Sequence, residues 1–575
     1  MSEPTPLSLI TSRLKATPAS TVVSETAAAA VVSVLNEAGV DRIFGIPGGT
    51  ISPVVDACLD GAGPEFVSCQ HETMAVYAAM GYARSTGQPG VVAVTSGPGA
   101  LNALTGLSAS RLDETPLILL VGEVATTSRG RAALQDGSLH GIDLHQVASS
   151  LAKESLIIER PWVARALTSE AIRRATSRPY GPAVIRIPVD VAGQRAPRTK
   201  VSLASGIHPS IPPADLSADI VQHLRAERTA IMLGGRAYQA GARGVVRALA
   251  ERLRCPVFTD LEAKGLFPES HPLSLGVFGV GSAGRAEAYL QDGVDTLLIV
   301  GARLDDTTTA NFSELIRPAG GVVIQVDYDA DRLGRSYPVD YALAGDPRVI
   351  LDHVLRQLPE PLDVSPPLTI APPDHRPLQD APFDPRGVPA VLQQALPNDT
   401  IFTSDIGNHL VFAAQGLRLD TPGRFHASLG LGGMGSGIGM AIGIAMGAPH
   451  SRVVGICGDG GLLMAGNELA TCARHDVPVT FAVFDDGQWG MVAHGSQKVY
   501  GRSHDWSLPV IDIVGYARSL GANAIRVTTE DELRDALQRS QKGTWVIDIP
   551  IDPTVRIVNP RDETLNFGTR DESLN

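Results

Sequence analysis

Two short clusters of glycine and acid carry the strongest chemical suggestion in the chain. One is Gly458-Asp459-Gly460-Gly461, directly after the apolar run Val453–Cys457; the other is Asp485-Asp486-Gly487-Gln488, directly after Val479–Phe484. Asp486 follows Asp459 by 27 positions, with a strand-like run before each. In an open parallel sheet the carboxyl ends of strands face one crevice, so two such carboxylates can share a hard divalent cation. Glycines beside them let backbone N–H groups approach a phosphate. A third carboxylate, Glu72, stands in Gln70-His71-Glu72-Thr-Met-Ala, ahead of an apolar helical stretch. Taken singly, a Gly-Asp-Gly reads as an ordinary turn, and an acid near a helix start as a favourable dipole contact.

Their joint order says more. Gly45-Ile-Pro47-Gly48-Gly49, the His71-Glu72 segment, Ser96-Gly97-Pro98-Gly99 and Gly181-Pro182-Ala-Val-Ile-Arg-Ile-Pro188 come first, then Asp405-Ile-Gly407-Asn408-His409, Gly430-Leu-Gly432-Gly433-Met434-Gly435 and the two acidic clusters. From about residue 20 to 552 this arrangement resembles the thiamine-diphosphate-dependent family of acetolactate synthase large subunits and pyruvate oxidases. The resemblance implies thiamine diphosphate and Mg²⁺ as cofactors. Metal ligands would be the side chains of Asp459 and Asp486 and the backbone carbonyl of Gln488. Cofactor contacts would come from Pro47, Gly48, Glu72, Gly407, Asn408, His409, Gly432, Met434, Gly458, Asp459, Gly460, Gly461, Gln488, Gly490 and Met491. Glu72 would hydrogen-bond the aminopyrimidine ring, a role that needs a buried carboxyl. Gln135 matches a glutamine that reaches the active site in acetolactate synthases, Lys153 resembles a nearby lysine, and His494 is the preferred proton-transfer histidine over His71, His140 and His145.

The chain departs from the family pattern in three places. Asp485-Asp486 stands where Asn-Asn is usual, which brings extra negative charge to a diphosphate site. No tryptophan follows Gly490-Met491-Val492 closely, which argues against a branched-chain biosynthetic preference. The middle region carries Gly301-Ala-Arg303-Leu-Asp305 and Gly345-Asp346, similar to FAD-binding members, but Arg236 follows Gly234-Gly235, and Phe278 and Thr307 replace a histidine and an arginine. FAD is expected to be absent or vestigial.

Elements that position these residues are legible as alternating strands and helices. Strand patterns at Arg42–Gly45, Val91–Thr95, Leu117–Val121 and Ala183–Pro188 place a first α/β domain over residues 20–195. Thr229–Leu233, Pro256–Thr259, Thr296–Val300 and Val322–Val326 place a middle Rossmann-like domain over 210–357. Ile401–Ser404, Val453–Ile456, Val479–Phe484 and Trp545–Ile549 place a third over 387–555. The expected fold is therefore α/β, three doubly wound parallel-sheet domains: pyrimidine-binding, middle and diphosphate-binding. Pro- and Ser-rich stretches at 196–215 and 358–386 read as linkers, and 556–575 as a polar tail.

Composition bounds the class. The 575 residues exceed one hydrophobic core, and 44% hydrophobic content fits an ordinary globular protein. A formal charge of −13 with no basic stretch excludes nucleic acid as a natural partner. Five cysteines without paired spacing point to a reducing cytoplasm, and the apolar run Ile438–Ala448 is too short to span a membrane and reads as a buried helix. The expected activity is decarboxylating carboligation of a 2-oxo acid such as pyruvate with a carbonyl acceptor, in a homodimer or homotetramer. A decarboxylase, a flavin oxidase, a synthase with another acceptor such as an amine, and a non-catalytic homologue are the alternatives.

Overall fold

The computed structural model describes residues 24–59, 63–201, 214–359, 378–502 and 504–557. Most of the two linkers and most of the polar tail lie outside the described residues. Three six-stranded sheets, parallel throughout, form three layered α/β domains. Numbered within its own domain, the strand order is 2-1-3-4-6-5 in the first and third sheets and 3-2-1-4-5-6 in the middle one. The order reverses between Arg42–Gly45 and Gly90–Val94 in the first domain, and between Ile401–Ser404 and Val453–Gly458 in the third. In the middle domain it reverses between Thr229–Leu233 and Thr296–Val300. Chains leaving on opposite faces open a crevice at each reversal, beyond the carboxyl ends of the strands.

Local chemistry sets the helix boundaries. Thr26 caps helix Ala27–Glu37 by accepting from the Ala29 N–H at 3.1 Å, and Gly39 takes the left-handed φ of +83° that follows the helix. Strands through the sheet centres are buried on both faces, as parallel sheets covered by helices require. Ser24–Thr26 pairs antiparallel with Arg195–Pro197, which ties the start of the first domain to its end.

One helix pair joins the first and third domains. Glu72–Thr86 and Ser436–Gly447 are buried along most of their length and pack through glycines. A Cβ on Gly81 would collide with the Met440 backbone, and one on Gly443 with the Ala78 carbonyl. Helix Ser436–Gly447 is the buried apolar helix that the composition suggested; among the described residues no helix is long and apolar enough to cross a membrane.

Candidate active site

At the reversal point of the third sheet lies a cavity of about 140 Å³. Gly407, Asn408, His409, Met434, Gly458, Asp459, Gly460, Gly461, Asp486, Gln488, Gly490 and Met491 all line it. Gly407 and Gly458 are the N-cap residues of helices Asn408–Gly416 and Asp459–Ala465, and neither helix has a side-chain cap. Uncapped N-termini aimed at one crevice suit an anion. Glycine is required for closeness here: a Cβ on Gly460 would lie 2.5 Å from the Trp489 ring.

Two buried polar atoms at this cavity have no protein partner, His409 Nε2 and Asn408 Oδ1. Burial pushes the His409 imidazole down to about 4, so it is neutral. Unpaired buried polar atoms are costly, and a bound polar ligand explains them. Asp459 accepts from the Gly460 and Gly487 N–H groups, each at 2.8 Å, and Asp486 from the Gln488 N–H at 3.4 Å. Burial raises both carboxyls, Asp486 to about 6, and the charge of Asp486 raises Asp459 further. Two buried carboxylates that disfavour each other are a donor set that a divalent cation would relieve. Asp485 is paired separately: Arg526 Nη1 donates to it at 2.8 Å and to Asp548 at 2.6 Å.

The first-domain candidates gather at the reversal point of their own sheet. Glu72 is the first residue of its helix, 8% exposed, and its Oε2 accepts from Asn102 Nδ2 at 3.0 Å. Gly99 lies against the other carboxylate oxygen; a Cβ there would be 3.3 Å from Glu72 Oε1. Gly48 packs on Thr95, next to the exposed Pro47. Gln135 holds a left-handed φ of +63°, its carbonyl accepting from Ser96 Oγ at 2.7 Å, with Gly97 against its side chain. None of these residues lines the third-domain cavity, and neither does Gly432, which is exposed at φ +67°.

His494 bridges two segments. Its Nδ1 faces Asn408 Nδ2 at 3.3 Å and its Nε2 faces the Pro553 carbonyl at 3.0 Å, the same oxygen that Gln488 Nε2 reaches at 3.4 Å. Lys153 lies away from the cavity, donating to the Ser177 and Pro179 carbonyls at 2.6 and 2.7 Å. His71 caps its helix through Nδ1.

Three further residues position the site: Glu468 and Asn102 lie outside the sequence motifs, and Asp405 opens the Asp405–His409 segment, where the sequence assigns it no role of its own. Glu468 of the third domain accepts from the Gln70 and His71 N–H groups at 3.0 and 2.9 Å, capping the Glu72 helix across the domain boundary. Asp405 accepts from the Gly435 and Gly437 N–H groups at 2.8 and 3.1 Å and fixes the turn after Met434. Asn102 holds Glu72.

The middle crevice is filled. Arg236, 2% exposed, pairs there with Glu114, Asp327 and Asp329. A larger cavity of about 390 Å³ lies where the three domains meet, but its charged groups are already paired: Arg84 with Asp113, Glu114 with Arg236, Glu262 with Arg303.

Comparison with known proteins agrees with this architecture. Residues 25–144 match the family model of the thiamine pyrophosphate enzyme N-terminal TPP binding domain, residues 218–358 the central domain, and residues 405–549 the C-terminal TPP binding domain. The chain is 32% identical over 556 residues to a probable acetolactate synthase large subunit of Methanocaldococcus jannaschii, covering 92% of each chain. It is 30% identical over 549 residues to the acetolactate synthase isozyme 3 large subunit of Escherichia coli (strain K12), covering 91% of this chain and 94% of the other. Among solved structures, the thiamine diphosphate-dependent 4-hydroxybenzoylformate decarboxylase of Rhodococcus jostii RHA1 superposes with a TM-score of 0.81 at 22% identity, covering 92% of this chain and 99% of that one. Benzoylformate decarboxylase from Polynucleobacter necessarius gives the same score and identity, covering 93% and 100%. The chain belongs to the thiamine pyrophosphate enzyme family.

Proposed function

We propose that this enzyme is a decarboxylating carboligase acting on a 2-oxo acid such as pyruvate, with thiamine diphosphate bound at the third-domain cavity through Mg²⁺. The observation that carries the binding reading is the pair of unpartnered buried atoms, His409 Nε2 and Asn408 Oδ1, beside two uncapped helix N-termini and the Asp459–Asp486 carboxylates. Asp459, Asp486 and the Gln488 carbonyl would hold the metal, and Gly458, Gly460, Gly461, Asn408 and His409 the diphosphate. The names of relatives at 30–32% identity favour carboligation over plain decarboxylation.

When bound, the cofactor supplies an electron sink for cleaving the bond between a carboxylate and a carbonyl. The chain's own residues bind, orient and move protons. Glu72, buried at its helix start and held by Asn102, would hold or move a proton at its carboxylate. Gly432 would offer its backbone carbonyl, and Met434, which lines the cavity, its side chain to the bound group. Gln135, from the first domain, and His494, beside Asn408, would act on the acceptor. The cavity is lined by third-domain residues alone; Glu72 of a second copy would complete it, which would make a homodimer the smallest working unit. FAD does not fit this reading, because Arg236 and its carboxylate partners fill the middle crevice. A cytoplasmic enzyme accords with five buried, free cysteines.

Purified chain with thiamine diphosphate, MgCl₂ and pyruvate should release CO₂ and form acetolactate. Glu72→Gln should keep cofactor binding within a few-fold and lower turnover by roughly 10²–10⁴. No decarboxylation across a panel of 2-oxo acids would overturn the carboligase reading, and no calorimetric binding of thiamine diphosphate with Mg²⁺ would leave the non-catalytic homologue.

A further inference from the structure

Arg236 does more than fill a crevice. Its Nε donates to Glu114 Oε2 at 2.9 Å, its Nη2 bonds the other Glu114 oxygen, and its Nη1 donates to Asp327 at 2.8 Å. Glu114 belongs to the first domain and sits at φ +48°, a left-handed conformation that a non-glycine residue keeps only when its surroundings impose it. The residue before it, Asp113, is gripped from the third domain. Ser428 Oγ donates to Asp113 Oδ2 at 2.6 Å and the Gly430 N–H to Oδ1 at 2.7 Å, while Arg84 donates to Oδ2 at 3.2 Å. A single two-residue turn is therefore held by the middle domain on one side and by Ser428–Gly430 on the other. Gly430 leads directly into Gly432 and Met434.

We propose that Arg236 is a positioning residue for the cofactor site: by plugging the middle crevice it fixes the Asp113–Glu114 turn, and the turn fixes the segment Ser428–Gly432. The middle domain of this chain thus acts as a clamp on the other two. Only the identity of the ligand at that segment rests on the proposed function; the clamp itself is a statement about contacts.

A merely structural ion pair would loosen the molecule without choosing a segment. Lys264 supplies the comparison, because it is buried, donates to Glu269 at 2.7 Å and to the third-domain Ala414 carbonyl at 2.9 Å, and among the described residues makes no hydrogen bond or ion pair with the turn. Hydrogen exchange read by mass spectrometry on the full-length chain, without cofactor, separates the two roles. In Arg236→Met, amides of the peptide 428–434 should exchange at least tenfold faster than in the unmodified chain, while Lys264→Met should leave that peptide unchanged. Glu114→Gln, a milder lesion at the same pair, should give the same pattern at lower amplitude and decides the matter where Arg236→Met does not fold. Arg236→Lys should restore part of the protection. Unchanged exchange at 428–434 in a folded Arg236 or Glu114 variant overturns the clamp, and so does equal loosening in Lys264→Met. A separate titration with thiamine diphosphate and MgCl₂ should show affinity lowered about tenfold in Arg236→Met. Absence of binding by the unmodified chain would sink the cofactor reading, with the exchange result still deciding the clamp.

Discussion

Asp486 stands beside Asp459 in a cavity that leaves both carboxyls above their ordinary range, and the charge of Asp485, although paired with Arg526, pushes both up further. The added acidity relative to an Asn-Asn pattern therefore bears on the Asp459–Asp486 pair from both positions. A second anionic ligand strengthens attraction for a hard cation, and its removal also relieves repulsion in the empty site. Asp486→Asn should therefore lower Mg²⁺ affinity in the absence of thiamine diphosphate, on the order of tenfold by isothermal titration calorimetry. Equal affinities would mean that the charge of Asp486 contributes nothing to holding the metal. The glycine-acid clusters were legible in the sequence because a strand run precedes each one. Glu468 was not, because its partners are two backbone N–H groups 398 and 397 positions away, brought to it only by the packing of two domains. Asn102 shares that silence, since it bonds to a group whose proximity is a tertiary fact, whereas Asp405 opens a segment the sequence did mark and only its bonds to Gly435 and Gly437 were hidden.

Strands divide in the same way. All four central strands of each sheet were legible as short apolar runs, since helices cover both of their faces. The unread strands are the sheet edges: Glu65–Ser68 and Glu154–Ile157, Ser274–Val277 and Tyr341–Ala344, Phe425–His426 and Asn523–Arg526. An edge strand packs against fewer neighbours, so its residues need not be uniformly apolar, as Glu154 and Arg526 illustrate. Glycine is the counterpart among helices. In isolation Gly→Ala favours a helix by up to ~1 kcal/mol. At Gly495, where a Cβ meets open space, the substitution should be neutral or slightly stabilising; at Gly443, where it meets the Ala78 carbonyl, overpacking should cost about 1–3 kcal/mol or more. Urea midpoints of the two variants check this, and a Gly443→Ala protein as stable as the parent would remove the glycine seam as the reason for the close approach of helices Glu72–Thr86 and Ser436–Gly447.

Across the whole molecule, buried acids recur in the middle and third domains. Asp260, Glu262, Glu287, Asp327, Asp405, Glu468 and Asp548 all have carboxyls that burial pushes up, Asp327, Asp405 and Asp548 to about 6. At Asp327 burial outweighs even the attraction of Arg236. A carboxyl with a folded pKa of about 6, against ~3.9 when unfolded, keeps its proton in the folded state over the intervening range. The folded state then binds more protons than the unfolded one, so stability falls as pH rises, by up to ~1.4 kcal/mol per unit for each group, and the loss is complete above the folded value. His409 and His426 act in the opposite sense: burial pushes them down to about 4 and about 3, and the stability they contribute is lost as pH falls below ~6.5. Acids held low by partners, such as Asp305 and Asp340, act only near and below pH ~4. With five carboxyls raised to about 6 or 7, Asp327, Asp405, Asp459, Asp486 and Asp548, against two depressed histidines, the balance between pH ~5 and ~7.5 is downward. The cofactor-free chain should therefore melt several degrees lower at pH 7.5 than at pH 5.5 by scanning calorimetry, and Asp405→Asn, which cannot ionise, should narrow the gap. A melting temperature that climbs over that interval would show that these acids are ionised in the folded state, with water or ions reaching sites that are otherwise dry.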